Sequence, residues 1–266
     1  MNPLNIVVCI KPVPDPTRWN KLKLDPETML LRRSEIPAVM NLLDRNAIEQ
    51  AAAFKTSQRA TVSVMTMAPP DGDEQLAEAL AMGCDRAYLL SDAAFAGADT
   101  LATARVLAAA IRKTGRFDLV FCGAYSLDGS TSQVGPQVAE LIGIPDLTHC
   151  TSLELAGRTL HAVCRVEDGD DVFECELPAL VTFDKEANTP RLPTMTGIMQ
   201  AAHTPITRWN AADLEIDPGT VGLRGSPTQM LNVFTPPVGR KGEILQGPPN
   251  EVVRTLVSKL RADRVI

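Results

Sequence analysis

Gly123-Ala124-Tyr125-Ser126-Leu127-Asp128-Gly129-Ser130-Thr131-Ser132-Gln133-Val134-Gly135-Pro136 lies between two differently patterned segments. Before it, Asp118-Leu119-Val120-Phe121-Cys122 is a short apolar run of the kind that forms a buried strand. After it, Val134, Val138, Leu141 and Ile142 recur at helical spacing. A Gly/Ser/Asp loop therefore joins a strand to a helix N-terminus. Free N–H groups there carry partial positive charge, and a phosphate can replace their missing partners. Gly129 and Gly135 would let the backbone approach a ligand closely. On these residues alone two readings stay open. One is a nucleotide-binding loop; the other is a helix start without a ligand, because Ser130-x-x-Gln133 also fits a capping box.

Outward from this loop, strands and helices alternate. Leu4 to Ile10 reads as a strand, closed by Lys11-Pro12-Val13-Pro14-Asp15. Residues 16–40 read as a long excursion with a hairpin. Asp44 to Lys55 has helical spacing, Thr61 to Met67 strand patterning, Glu74 to Met82 helical spacing, and Arg86 to Leu90 is a short strand. Ala98 to Lys113 carries a helical stripe of Leu101, Ala104, Leu107, Ala108 and Ile111. The alternation predicts an α/β fold of Rossmann-like type, with a parallel sheet covered on both faces. After Pro145, the segments Thr151–Leu155, Leu160–Val166 and Val172–Glu176 predict an antiparallel meander, and Pro178 to Phe183 a further core strand. From Asn188 the chain is rich in Pro, Thr and Gly and reads as an arm without a core of its own. It ends in a helix over Glu251–Arg264, with Val252, Val253, Leu256, Val257 and Leu260 on one face. The expected division is a nucleotide-binding domain at 1–187 and a recognition loop with a C-terminal arm at 188–266.

Composition excludes several classes. Of 266 residues 45% are apolar, enough for a sizeable core, while aromatics at 4% are too few for a stacking platform on single-stranded nucleic acid. A net charge of -6 argues against nucleic-acid binding. No apolar run is long enough to span a membrane, and Met1-Asn2-Pro3-Leu4-Asn5 lacks a basic secretory leader. A cytoplasmic location is expected, or the mitochondrial matrix in a eukaryote. Cys9, Cys84, Cys122, Cys150, Cys164 and Cys175 form no C-x-x-C pair and read as buried free thiols. His149, His161 and His203 have no ligand spacing and read as ordinary structural or surface residues, so no metal is expected. Residues 237–266 hold six basic side chains (Arg240, Lys241, Arg254, Lys259, Arg261, Arg264) and three acidic ones (Glu243, Glu251, Asp263), a balance of +3 on an otherwise acidic chain. Such a tail docks on a partner subunit or packs on its own domain. G-x-x-x-x-G-K-[ST], G-x-S-x-G, H-E-x-x-H, H-x-G-H and S-G-G-x-D-S are all absent. No catalytic residue stands out, and the chemistry falls to a bound cofactor.

Five motifs, in order along the chain, carry a resemblance. They are Asn5-Ile6-Val7-Val8-Cys9-Ile10-Lys11-Pro12-Val13-Pro14-Asp15, Met40-Asn41-Leu42-Leu43-Asp44-Arg45-Asn46-Ala47-Ile48-Glu49-Gln50-Ala51, Ala79-Leu80-Ala81-Met82-Gly83-Cys84-Asp85-Arg86-Ala87, Asp128-Gly129-Ser130-Thr131-Ser132-Gln133-Val134-Gly135-Pro136, and Asn188-Thr189-Pro190-Arg191-Leu192-Pro193. Together they resemble electron transfer flavoprotein beta subunits, essentially end to end. Phe95-Ala96-Gly97-Ala98-Asp99-Thr100-Leu101-Ala102-Thr103, Gly225-Ser226-Pro227-Thr228-Gln229-Met230 and Gly242-Glu243-Ile244-Leu245-Gln246-Gly247 are similar to the electron-bifurcating subgroup.

The resemblance implies an adenine nucleotide alpha hydrolase-like domain that works as a heterodimer with a flavin-bearing alpha subunit. It implies FAD as the beta-site ligand, with AMP the alternative. In the bifurcating subgroup NADH reduces the beta flavin, one electron passes to the alpha flavin, and the other to ferredoxin or flavodoxin. The N-x-P-R-x-P segment implies a loop near Met195 that recognises an acyl-CoA-type or other dehydrogenase. The implied cofactor residues are Cys9, Lys11, Asn41, Leu42, Leu43, Asp44, Met67, Gly123, Asp128, Gly129, Ser130, Thr131, Ser132, Gln133, Val134 and Gly135, joined by Asp99, Thr100 and Thr103 from the subgroup segment. Each has a plainer reading. Cys9 and Met67 fit a core, Lys11 a surface charge, Asn41, Asp44 and Asp99 helix caps, and Met195 an ordinary loop. A non-redox nucleotide-binding module, of the stress-protein kind, is the second functional reading. Two departures stand out: Asn41-Leu42-Leu43-Asp44 lacks the family's proline, and Ala124-Tyr125-Ser126-Leu127-Asp128-Gly129-Ser130 replaces R-Q-A-I-D-G-D. The second removes a bidentate cation and one acid.

Overall fold

A computed structural model describes residues 3–21, 36–229 and 242–266. The chain divides into two compact units, one reaching Leu231 and one spanning Asn232–Ile266. The first unit is built on a nine-stranded sheet. Its strands are β1 (Asn5–Cys9), β4 (Thr61–Met67), β5 (Arg86–Leu90), β6 (Leu119–Gly123), β7 (Asp146–Ala156), β8 (Thr159–Val166), β9 (Gly169–Glu176), β10 (Ala179–Phe183) and β11 (Ile206–Trp209). They lie in the order β11-β5-β4-β1-β6-β10-β7-β8-β9. Pairing is parallel from β11 to β7 and antiparallel from β7 to β9. A separate antiparallel pair joins β2 (Pro12–Pro14) to β3 (Ala38–Met40). Of the 16–40 excursion, in which a hairpin is expected, residues 22–35 lie outside the described residues.

The central strands are continuous apolar runs because both of their faces are covered. Side chains alternate between the faces. Ile6, Val8, Leu119 and Phe121 pack with Ala47, Ile48 and Ala51 of α1 (Leu42–Gln58) and with Leu76 and Leu80 of α2 (Asp73–Met82). Val7, Cys9 and Val120 pack on the other side with Val106, Leu107 and Ile111 of α3 (Thr100–Lys113) and Val138 of α4 (Val134–Ile142). The chain builds outward from β1 through β4 to β5, then crosses back to lay β6 on the other side of β1. The strand order therefore reverses between β1 and β6, and a crevice opens beyond their carboxyl ends.

Two segments depart from expectation. β7 starts five residues before Thr151, because its first half pairs in parallel with β10 and only its second half forms the meander with β8. The expected arm returns to the main body before it leaves it. Here α5 (Met195–Ala201) packs on α2, β11 extends the sheet beside β5, the short α6 (Gly222–Gly225) follows, and Ala201, Ala211, Leu214 and Val221 are buried. The anchor of β11 is Trp209, whose ring stacks on Tyr88 at 4.5 Å. A four-residue strand in a Pro- and Thr-rich context is too short to show a period of its own. The second unit holds α7 (Pro249–Ala262), none of whose residues is buried. Of the basic tail, Arg240 and Lys241 lie outside the described residues, as does Met230 of the arm motif.

Gly135 marks how tightly α4 lies on the sheet. A Cβ built there would sit 2.6 Å from Cγ2 of Thr182 in β10 and 3.2 Å from Sγ of Cys122. A residue without a Cβ is required here for helix–strand packing. Gly135→Ala should lower unfolding stability by about 1–3 kcal/mol, the usual cost of overpacking, as read from urea denaturation. Unchanged stability would mean that α4 sits further from the sheet.

Candidate functional site

The crevice between β1 and β6 is organised by one carboxylate. Asp44, in the first turn of α1, is buried. One of its oxygens accepts the Lys11 N–H at 2.7 Å, just past β1. The other accepts the Gly123 N–H at 3.1 Å, at the end of β6, and Asn41 Nδ2 at 3.0 Å. Asn41 continues the chain of contacts. Its Nδ2 donates to the Tyr125 carbonyl at 2.9 Å and its Oδ1 accepts the Leu127 N–H at 3.2 Å. The amide is thus spent on the loop, and Asn41 makes no side-chain cap to α1. Burial pushes the Asp44 carboxyl up to about 7, against the hydrogen bonds from Asn41, Lys11 and Gly123 and the charge of Lys11. Gly123 must be small here, because a Cβ would meet Asp44 Oδ1 at 2.5 Å and the Leu43 Cβ at 2.7 Å.

Lys11 turns its half-exposed amine onto the same loop. Nζ lies 2.6 Å from Asp128 Oδ1 and donates to Ser126 Oγ at 3.1 Å. The loop then coils toward α4. The Ser130 N–H donates to the Ser126 carbonyl at 2.8 Å, and Ser130 and Ser132 adopt left-handed backbone conformations, with φ 49° and 54°. Thr131 is exposed between them. The capping box does not form: Ser130 Oγ donates to the Ser126 carbonyl, and α4 starts at Val134 with no side-chain cap. Gln133 is turned away instead, its Oε1 accepting from Thr100 Oγ1 at 3.0 Å. An uncapped helix start below successive loop amides is a donor set that fits a phosphate. It therefore fits the nucleotide portion of an adenine-containing cofactor.

The subgroup residues meet this loop from α3. Asp99 is the N-cap, accepting the Ala102 N–H at 2.9 Å, and its other oxygen accepts the Thr228 N–H at 3.0 Å. The Asp99 N–H donates to Ser226 Oγ at 2.8 Å, and Arg105 reaches the carbonyls of Thr220 and Gly225. Thr103 is half-buried one turn into α3, its N–H on the Asp99 carbonyl. Residues 220–228 are therefore pinned to the start of α3, beside the Thr100–Gln133 bond.

The remaining expected residues are placed as follows. Cys9 is buried at the end of β1, its thiol pushed up to about 12 by burial and then by the Asp44 charge, so it is neutral and unreactive. Met67 ends β4 half-buried and packs against the same cluster. Leu43 is buried behind Gly123, and Leu42 is half-exposed at the start of α1. Gly129 is exposed near Lys11 Nζ. Ser126, Ser226 and Arg105 were not singled out from sequence. Their partners lie far along the chain, and a lone serine or arginine leaves no local signal.

A family profile described as "Electron transfer flavoprotein domain" matches residues 28–214. The chain belongs to the electron transfer flavoprotein family. It is 44% identical over 265 residues to the caffeyl-CoA reductase-Etf complex subunit CarD of Acetobacterium woodii, covering 99% of this chain and all of that protein. It is 43% identical over 264 residues to the electron transfer flavoprotein subunit beta of Thermoanaerobacterium thermosaccharolyticum, with 99% and 100% covered. It is 38% identical over 270 residues to the acryloyl-CoA reductase electron transfer subunit gamma of Anaerotignum propionicum, again over 99% and 100%. Within the electron transfer flavoprotein family this chain stands with the beta subunits, and the non-redox reading is not favoured. No described helix is long and apolar enough to cross a membrane.

The Asp44 carboxyl sets a pH dependence. It titrates near 4 unfolded and at about 7 folded, so between these values the folded chain holds the extra proton. This group's contribution to stability is present at the acid end and falls as pH rises toward 7. Carboxyls held low by hydrogen bonds, such as Asp92 and Asp99, act below pH 4 and leave the window clear. Urea midpoints measured from pH 5 to 7 should decline in the native chain and flatten in Asp44→Asn. Equal slopes in the two proteins would remove the assignment.

Proposed function

We propose that this chain is the beta subunit of a heterodimeric electron carrier that binds FAD at the β1/β6 crevice and passes electrons between a dehydrogenase and downstream acceptors. The uncapped start of α4, with the loop tied back by Asn41, Asp44 and Lys11, is the observation that carries the reading. When bound, the flavin supplies one- and two-electron chemistry. The chain's own residues bind and orient it. The amides of Gly129 and of Thr131 to Gly135 would hold phosphate, and Lys11 brings a positive charge to the loop. Thr100 and Thr103 offer hydroxyls from α3. Cys9 and Met67 close the site beneath the strand ends.

FAD is favoured over AMP by the segment from Phe95 to Thr103 and by the pinned arm residues Gly225 to Thr228, which resemble the bifurcating subgroup. On that reading NADH is the reductant, and the two electrons part to the alpha-subunit flavin and to ferredoxin or flavodoxin. The names of two relatives, a caffeyl-CoA reductase complex subunit and an acryloyl-CoA reductase subunit, support a partner that handles acyl-CoA thioesters. The docking surface is the exposed apolar set Leu192, Met195, Ile198 and Met199. The organisation remains that of a nucleotide-binding domain followed by a recognition loop and an arm, in a cytoplasmic or mitochondrial-matrix setting.

Denaturing the purified heterodimer and quantifying released nucleotide tests the cofactor. Two FAD and no AMP per dimer is expected; one of each would make this a simple carrier. Gly129→Val tests the loop. A Cβ at Gly129 would press on Ser126 Oγ at 3.3 Å, with Lys11 Nζ at 3.8 Å; both are side-chain ends on an exposed loop that can shift, so the fold should persist while beta-site nucleotide is lost. Full retention would sink the site. In α7, Val253 and Leu256 are exposed on the apolar face, and the alpha subunit is the proposed cover. Deleting residues 248–266 should weaken heterodimer association in a titration of the two subunits. Unchanged affinity would reject that cover.

A further inference from the structure

We propose that Asn46 and Glu49 of α1 are positioning residues that hold the partner-docking segment in a preformed shape. The inference rests on the docking reading of Met195 and its neighbours given above.

Asn46 is buried and forms a reciprocal amide pair with Asn188. Its Nδ2 donates to the Asn188 carbonyl at 2.8 Å, to Asn188 Oδ1 at 3.0 Å and to the Lys185 carbonyl at 3.2 Å. Asn188 Nδ2 donates back to the Asn46 carbonyl at 3.0 Å. One turn on, Glu49 grips Arg191 three ways. Oε2 accepts Nε at 2.7 Å and the backbone N–H at 3.0 Å, and Oε1 accepts Nη2 at 2.8 Å. This is the planar, two-pronged pairing that only an arginine offers a carboxylate. Between and after these clasps, Pro190 and Pro193 fix φ and leave the segment few alternative shapes.

The far end is seated as firmly. Thr194 caps α5 through the Gly197 N–H at 3.0 Å, and a side chain at Gly197 would collide with the Ala81 carbonyl of α2. Four apolar side chains, Leu192, Met195, Ile198 and Met199, are left facing outward on a stretch held at both ends. Ordering a loop on binding costs affinity, and a segment already ordered avoids that cost. The clasps therefore act on association with the dehydrogenase and leave electron transfer within the assembled complex alone. The same helix holds the nucleotide loop through Asn41 and Asp44, on separate residues, so the clasps can be loosened without touching the cofactor site.

The probe is an acyl-CoA dehydrogenase kept reduced by its thioester substrate, with flavin reduction of the whole heterodimer as readout. Glu49→Gln and Arg191→Gln should each raise KM for the dehydrogenase about five-fold, with kcat at saturation within about two-fold of native. The double variant should be no worse than either single one, because both remove one interaction. Released nucleotide, quantified after denaturation, should match the native heterodimer. Met195→Ala is run in parallel and should also raise KM. If it does so while both clasp variants keep the native KM, the positioning role is wrong and the docking surface stands. If all three keep the native KM, the docking reading fails and the clasp with it. A fall in kcat at unchanged KM would also overturn the inference.

Discussion

The structure depends most on one buried carboxylate at the place where strand order reverses. Asp44 joins the exit of β1, at Lys11, to the exit of β6, at Gly123, and through Asn41 to the loop that follows. Those two exits belong to strands that sit side by side but are widely separated in sequence, and some device has to hold the crevice between them to a fixed width. Burying a carboxylate costs several kcal/mol, and hydrogen bonds to a charged group return roughly 1.5–3 kcal/mol each. A carboxyl pushed up to about 7 shows that burial outweighs those hydrogen bonds for the ionised form. The group is retained despite that cost, which points to geometry rather than stability as its value.

From that anchor α1 serves as a strut. Its first turn ties the proposed nucleotide loop and the next turns tie the proposed docking segment, while its inner face supplies Ala47, Ile48 and Ala51 to the core. Packing against the sheet fixes the helix in place, so the two segments share one frame. The low conformational freedom of the Gly-rich loop follows from its attachment to α1, and that of the segment after Asn188 from its attachment to α1 together with Pro190 and Pro193.

The strands and helices around the loop were legible because buried parallel strands are continuous apolar runs and the helices carry one apolar stripe. The placement of the loop at a helix start was legible for the same reason. What was not legible is how side chains distant in sequence meet. Ser130 and Gln133 match a capping box, yet Gln133 has a better partner in Thr100, on a different helix. At Gly135 the limit on size comes from Thr182, on a strand far along the chain. Asn46 and Glu49 lie in an otherwise ordinary amphipathic helix, and nothing local distinguishes them from surface polar residues until Asn188 and Arg191 arrive. β11 is invisible because four residues cannot display a period, and its place is set by Tyr88 and by the open edge of β5.

The two departures from the family pattern fall where the structure absorbs them. Leu42 opens α1 at the first helical position, where a proline is favoured because no helix hydrogen bond is lost, so its absence leaves the Asn41 and Asp44 contacts untouched. Ala124 is a sharper change, since an arginine there would bring a cation to the loop. In this chain the Ala124 side chain is buried and its N–H is spent on the Phe183 carbonyl. The charge that remains, on Lys11, is met by Asp128 at 2.6 Å. Asp44 sits near its midpoint at neutral pH. The side chains at the crevice therefore come close to cancelling, and the uncancelled positive potential is that of the α4 start, worth about 0.3–1 kcal/mol for a surface anion and more where solvent is excluded. On the proposed reading, anion affinity at this site leans on backbone amides, which would hold any phosphate group and discriminate little between nucleotides. Selectivity between a flavin and a simple adenine nucleotide must then come from the far wall, where α3 and the pinned residues 220–228 meet the loop.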